Sequence, residues 1–281
     1  MQPFQRIAAI FDIDDSLLDG NAGTIFTWFL YSNREMVPSV RSQVPRALYE
    51  YARKRLSEAD MVALGSKSQQ GIRADKLREL ARRCFDKHVK KRITQQGLRA
   101  VRRHLLSGHL VVVASGSPQI IIDEVGRFLN AHEAVGTRAL IKEGLATDEL
   151  VPPIVFKEGK RERVKEVIAR HGIDVSRSYL YSDSVADTPL LEEVGHPIVV
   201  NPKPAFRAEA LRRGWDVVEW KGRWKTEPER TSASGTSGSA GKPEARRRKS
   251  HGGSVCGYFA MSNPESATAF SRSVCFTFVS S

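Results

Sequence analysis

Cysteine is scarce in this chain. There are three, Cys84, Cys256 and Cys275, and none stands at metal-ligand spacing from another. An odd number cannot pair completely, so a disulfide framework is excluded as the organising principle and a reducing compartment is expected. Long apolar runs are missing as well. No stretch approaches the roughly 20 apolar residues that a helical membrane span needs. The apolar run after Arg6 is also too short for the core of a secretory signal. The expectation is a soluble, cytoplasmic protein. Acidic excess is absent too, with 44 Lys and Arg against 32 Asp and Glu, a net charge of +12.

That charge is unevenly spread. Residues 222–281 hold nine basic and four acidic residues, or +5, which leaves +7 for residues 1–221. A moderately basic body suits an anionic ligand, and it is equally common in soluble proteins rich in arginine. At 41% hydrophobic over 281 residues, the chain has enough apolar material for a sizeable core.

Residues 6–12 form a short apolar run bounded by polar residues, the signature of a buried strand. Charged stretches with apolar residues at helical spacing follow from about Ala22 to Cys84. Past Gly108, strand-like and helix-like segments alternate: "HLVVVASGSP", "QIIIDEVGRFLNAH", a pair of short strands in "AVGTRALIKEGLATDELV", "GKRERVKEVIARHG", "SYLYSD", "ADTPLLEEV", "HPIVVN", "AFRAEALRRG" and "WDVVEW". Alternation of this kind predicts an α/β fold, a doubly wound, Rossmann-like parallel sheet. Its helical insertion follows the first strand. The expected division is a core of residues 1–20 and 86–221, a helical cap of 21–85, and a disordered basic, Gly/Ser-rich tail of 222–281.

The most informative stretch is "AAIFDIDDSLLDG", residues 8–20, in which a strand runs straight into Asp12, Asp14 and Asp15. Ligands bind at the carboxyl ends of parallel strands in open α/β sheets. "YLYSDSVAD" places Asp183 at the end of another strand, with Asp187 just beyond. Carboxylates gathered at one sheet edge repel each other unless a cation lies among them. Few carboxylates with oxygen-only ligands favour magnesium. Ser115 ends a third strand, where its hydroxyl and the following amides offer an anion site, and Lys160 supplies a compact positive charge. Taken singly, these residues have ordinary readings: a solvated turn for Asp12 and Asp14, a turn cap for Asp15, a strand-end serine for Ser115 and a solvated helix face for Lys160. Lys157 competes with Lys160, and the Gly-Lys helix start favours Lys160. His104 and His109 read as structural.

Together the segments resemble a known family. "DIDDS" is similar to the DxDx[ST] opening motif of the haloacid dehalogenase superfamily of phosphohydrolases. "VVVASGS" resembles its second motif, "EGK" its lysine motif and "YSDSVADTPLL" its final motif, in the family's order over roughly residues 6–220. An insertion between the first two motifs resembles subfamily IB, the phosphoserine-phosphatase-like branch. The resemblance implies a phosphatase, a magnesium-dependent phosphomonoester hydrolase. Asp12 is then the nucleophile that forms an aspartyl-phosphate, and Asp14 the general acid and base. It assigns phosphate binding to Ser115, Gly116 and Ser117, and metal binding to Asp12, Asp14 through its backbone carbonyl, and Asp183. Lys160 neutralises phosphate and orients Asp12, with Asp187 in support. Ser182 departs from the family's usual glycine. Asn21 stands where a glutamate would hold the amino group of phosphoserine, which argues against that compound, and the expected substrate is a small phosphorylated metabolite. Asn21, Arg34 and Arg73 are the candidates for substrate contact. Phosphoryl transfer to an acceptor other than water is the alternative within enzymes. A non-catalytic protein touching nucleic acid or anionic lipid through "RRRK" in the tail is the alternative outside them.

Overall fold

The first strand is buried on both faces. In β1 (Ala8–Asp12), Ala9 and Phe11 point into one apolar layer and Ala8 and Ile10 into the other. A continuous apolar run of this kind belongs to the middle of a parallel sheet covered on both sides, and β1 lies there. The computed structural model describes residues 6–220. The expected tail, with Cys256, Cys275 and the "RRRK" run, lies outside the described residues.

Six further strands complete the sheet: β2 (Leu110–Pro118), β3 (Glu133–Lys142), β4 (Leu145–Val151), β5 (Tyr179–Ser182), β6 (His196–Val200) and β7 (Asp216–Val218). Their order is β4-β3-β2-β1-β5-β6-β7. All pairings are parallel except β3 with β4, which form an antiparallel hairpin at one edge. The chain steps from β1 through β2 and β3 to one side, then crosses back to lay β5 on the other side of β1. This reversal makes the carboxyl ends of β1 and β5 the topological switch point, where a ligand crevice opens.

Ten helices complete the described fold. Six fall between β1 and β2: α1 (Ala22–Ser32), α2 (Pro38–Arg41), α3 (Val44–Ala52), α4 (Glu58–Lys67), α5 (Ala74–Cys84) and, after a π-helical turn at Phe85–Val89, α6 (Gln95–Leu106). The others are α7 (Gln119–Leu129), α8 (Glu158–His171), α9 (Thr188–Leu191) and α10 (Pro204–Arg212). Residues of α1, α5, α6 and α7 share one core layer with Phe11, and residues of α8, α9 and α10 share the other with Ile10. Burying a side chain of this size contributes about 1.5–3 kcal/mol, and the two layers offset the cost of the charges buried at the strand ends. The helix expected over "ADTPLLEEV" is shorter than its apolar spacing predicts. A 3₁₀ turn at Val185–Asp187 occupies its start, and α9 has only four residues.

The inserted helices are bound to the sheet by backbone as well as side chains. Gly71 N–H donates to the Ala146 carbonyl (2.8 Å), Ala146 N–H to Ile72 (2.9 Å), and Ala74 N–H to Gly144 (2.9 Å). The segment before α5 thus extends the edge of β4. These bonds pair groups that an edge strand otherwise leaves open, and they fix the insertion beside the sheet.

His104 and His109 have a structural role at the other end of the strands. Their Nδ1 atoms lie 2.9 Å apart, and His104 Nε2 meets the Tyr181 hydroxyl at 2.9 Å. Tyr181 in turn stacks on Phe11, with ring centroids 4.5 Å apart. Burial first, then the neighbouring His109 and Arg103, lowers the His104 pKa to about 4. The unfolded chain therefore binds a proton between about 6.5 and 4 that the folded chain refuses, and stability is lost as pH falls through that window. The expected result is a urea midpoint that declines from pH 6.5 towards 4, with a shallower decline in His104→Gln. Equal slopes would show that this ring does not carry the effect.

Candidate active site

Asp12 ends β1, and Lys160 is brought to it by α8. The Lys160 ammonium lies 2.7 Å from Asp12 Oδ1 and 2.6 Å from Asp187 Oδ2, and all three residues are buried. Lys160 can reach so far inward because α8 starts in a very tight turn. A Cβ on Gly159 would sit 2.0 Å from the Ile154 carbonyl oxygen, so only glycine fits before Lys160. Burial by itself lowers the lysine pKa, but Asp12 and Asp187 outweigh it and the net direction is upward, so Lys160 stays charged. The competing lysine, Lys157, is exposed at the rim of the same cleft.

Asp14 occupies a different setting two residues on. Its Oδ2 accepts the hydroxyls of Ser115 (2.6 Å) and Ser117 (2.7 Å), and its Oδ1 accepts the Ala22 N–H at the start of α1 (2.6 Å). A carboxylate at a helix N-terminus is favoured. Burial nonetheless raises the Asp14 pKa, against the pull of these three donors. The strand, the β2 loop and the first inserted helix therefore meet on this one carboxylate. Gly23 N–H adds a bond to Ser117 Oγ (2.8 Å), and Ser117 N–H donates to Ser115 Oγ (2.9 Å). In this arrangement the hydroxyls expected to hold phosphate hold Asp14. Gly116 lines the cleft beside them.

Asp183 follows β5. Burial first, then the Asp12 and Asp15 charges, holds its carboxyl well above the usual range. The same two forces act on Asp12: burial raises its pKa most, Lys160 lowers it, and Asp187 and Asp14 raise it. Five carboxylates line the cleft, those of Asp12, Asp14, Asp15, Asp183 and Asp187, against the ammonium groups of Lys157 and Lys160. Two like charges about 4 Å apart cost about 4 kcal/mol at an effective dielectric of 20. A hard divalent cation between Asp12 and Asp183 fits this donor set, because magnesium binds through one or two carboxylates and keeps several waters. The Asp14 carboxylate is engaged by the serines and Ala22, and its backbone carbonyl is the atom expected to face a cation.

Two serines that the sequence analysis left without a role belong to the site. Ser16 Oγ accepts the Asp183 N–H (2.9 Å) and lies 3.3 Å from Asp183 Oδ1, tying the end of β5 to the turn after β1. Ser182 Oγ donates to Asp187 Oδ2 (2.7 Å) and accepts the Ser184 N–H (3.1 Å). Ser16 was signalled by its place in the Asp-x-Asp-x-Ser spacing. Ser182 was signalled only as a departure from glycine.

The three candidates for substrate contact separate. Asn21 lines the cleft, but its side chain caps α1 by accepting the Thr24 N–H (2.8 Å). Arg34 is exposed in a left-handed turn after α1 and does not line the cleft. Arg73 also falls outside the cleft. It is exposed and bound by two nitrogens to Asp75, each at 3.1 Å. Both arginines are corrected for one reason: they sit at the solvent-facing ends of inserted helices, where a guanidinium keeps its hydration.

The haloacid dehalogenase-like hydrolase family model matches residues 9–192. A Streptomyces azureus protein named for inhibition of morphological differentiation is 30% identical over 222 residues, covering 76% of this chain and 79% of that one. A probable phosphatase of Mycobacterium tuberculosis is 40% identical over 120 residues, 43% of this chain and 42% of that one. Among solved structures, a Bordetella pertussis protein of unknown function superposes with a TM-score of 0.68 at 27% identity, over 76% of this chain and 98% of the other. With the match running from β1 through the Asp183–Asp187 turn, the chain belongs to the haloacid dehalogenase-like hydrolase family.

Proposed function

We propose that this protein is a magnesium-dependent phosphomonoester hydrolase that acts on a small phosphorylated metabolite through an aspartyl-phosphate on Asp12. The observation that carries the reading is the buried Asp12–Lys160–Asp187 chain, set beside an Asp14 whose carboxylate is held by Ser115, Ser117 and the start of α1. The phosphatase name of the Mycobacterium tuberculosis relative supports it.

Lys160 engages Asp12 Oδ1 and leaves the other carboxylate oxygen to attack phosphorus. The new bond joins Asp12 oxygen to phosphorus while the bond from phosphorus to the leaving oxygen breaks. Asp14, whose pKa is raised, delivers the proton to that oxygen. In the second half, Asp14 takes a proton from the water that attacks phosphorus, and Asp12 is released as carboxylate. Ser115 and Ser117 can turn their hydroxyls from Asp14 to the phosphate oxygens when substrate enters. Ser182 and Lys160 hold Asp187, which keeps Lys160 aimed at Asp12. Asp12 and Asp183, with the Asp14 carbonyl, would hold the magnesium, which supplies positive charge to the phosphate. The inserted helices serve as the cap that excludes water.

Purified protein is expected to release inorganic phosphate from an aryl phosphate in millimolar magnesium, and to lose that activity in EDTA. Full activity after exhaustive chelation would overturn the metal dependence. Absence of phosphate release from a broad panel of phosphorylated metabolites would overturn the hydrolase reading.

A further inference from the structure

The lining of the cleft carries two kinds of chemistry. One part is charged, with the five carboxylates and Lys160. The other is contributed by Tyr51, Met61 and Val62 of the inserted helices and by Phe156 and Lys157 of the segment leading into α8. Among these last five residues the only charged group is that of Lys157. It stands three residues before Lys160 and is exposed at the rim of the same cleft as Asp12.

Two observations separate Lys157 from an ordinary surface lysine. First, its ammonium has no carboxylate partner within ion-pair distance among the described residues. It lies 5.2 Å from the centre of the Phe156 ring, and the neighbouring Glu158 is taken by Arg161. Second, its backbone is strained. Lys157 has φ 49° and ψ −120°, a conformation that glycine adopts freely and that side chains with a Cβ resist. Asn130 shows the contrast, because its φ of 53° and ψ of 37° place it in the ordinary left-handed region that asparagine tolerates at a helix end. A lysine kept where glycine is easier, beside a candidate site, points to use of its side chain.

We infer that Lys157, beside the Phe156 ring, forms a subsite for the leaving group. It selects phosphomonoesters whose leaving group carries a second anionic group on an apolar body, and it disfavours those carrying an ammonium group. The inference rests on the phosphatase reading above and names the substrate class for that same cleft. An amino-acid leaving group is poorly served, since none of Tyr51, Met61, Val62, Phe156 and Lys157 is a carboxylate and Asn21 is spent on capping α1. A carboxylate or second phosphate, by contrast, gains an ion pair with Lys157 while its carbon skeleton covers Phe156, Met61 and Val62.

The test is a matched series of esters on one ring: para-carboxymethylphenyl, para-phosphonomethylphenyl, para-methylphenyl and para-aminomethylphenyl phosphate. Wild-type kcat/KM is expected to favour the two anionic leaving groups over the methyl compound by about fivefold, the size of an exposed ion pair. The aminomethyl compound should fall below the methyl one. Relative rates of the carboxymethyl and phosphonomethyl esters decide between a carboxylate and a second phosphate as the natural anion. In Lys157→Gly the ratio of anionic to methyl ester should fall to near one, and in Lys157→Arg it should persist. A purely structural role for Lys157 would move neither ratio. Lys157→Gly should also melt no lower than wild type, because glycine relieves the backbone strain. The preference should shrink in about 1 M salt, where the screening length is about 3 Å. Equal kcat/KM across the wild-type series, or a preference retained in Lys157→Gly, would overturn the inference. Calorimetric binding of the same esters to Asp12→Asn reads the preference without turnover. If no ester is hydrolysed, the phosphatase reading fails while the order of affinities still decides the subsite.

Discussion

Asp12→Asn is expected to reduce kcat for phosphate release by at least about 10³-fold, the loss seen when a covalent nucleophile is removed while binding groups remain. The substitution is nearly isosteric. An asparagine Oδ1 can still accept from Lys160, so the cleft keeps its shape while the nucleophile is lost and one proposed magnesium ligand is weakened. Stability should change little, because opposing effects accompany the substitution. One ion pair with Lys160 is weakened. At the same time a buried carboxylate is neutralised, and its repulsion with Asp183, Asp187 and Asp14 disappears. Circular dichroism and the melting midpoint would confirm an intact fold. A folded Asp12→Asn protein with wild-type turnover would end the proposed mechanism, whatever the substrate. The complementary measurement is rapid-quench trapping of phosphoenzyme, which should label wild type and leave Asp12→Asn unlabelled.

Lys160→Met should have a second large effect, on the fold as well as on activity. The lysine is 6% exposed and bridges two buried carboxylates at 2.7 and 2.6 Å. Methionine fills similar volume but leaves Asp12 and Asp187 without their counter-ion. Breaking a buried pair by removing one partner costs about 3–5 kcal/mol. The urea midpoint should therefore fall markedly, measured in EDTA so that no added cation substitutes for the lost charge. Activity should fall by at least about 10²-fold, the cost of removing one preorganised donor from a developing charge. Lys160→Arg should not rescue. Its planar fork needs more room than the turn around Gly159 allows, and a compact ammonium is what Asp12 and Asp187 enclose. A stable and active Lys160→Met protein would show that the three-residue chain is incidental.

These variants test a site much of which could be read along the chain. The run Ala8–Phe11 announces a doubly buried strand because hydrophobicity without alternation fits only a strand covered on both faces. Asp12, Ser115, Lys160 and Asp183 each sit at the end of a strand or start of a helix, and such ends are marked locally by small residues and breaks in apolar pattern. Parallel pairing followed from the alternation of elements, and the hairpin of β3 and β4 from the Gly144 turn. Other features had no local mark. Which oxygen of which carboxylate meets Ser115, Ser117 or Ala22 depends on how three separate elements dock. Arg34 and Arg73 looked equivalent to any cation near the insertion, because sequence does not show which helix end faces the cleft. The bonding of residues 71–74 along β4 is a backbone interaction, indifferent to side chains and thus silent in the sequence.

Sequence by itself determined the order of strands and helices, the identities of the acid, hydroxyl and ammonium groups, and their positions at chain reversals, since burial pattern and turn chemistry are local. Tertiary structure alone decided that Asp14 faces serines while Asp12 faces Lys160, that Ser16 and Ser182 brace the site, and that Lys157 stands at the rim of the cleft with no carboxylate at ion-pair distance among the described residues. Those distinctions are matters of a few ångströms between residues up to 167 positions apart, and only the packing of both core layers against one sheet sets them.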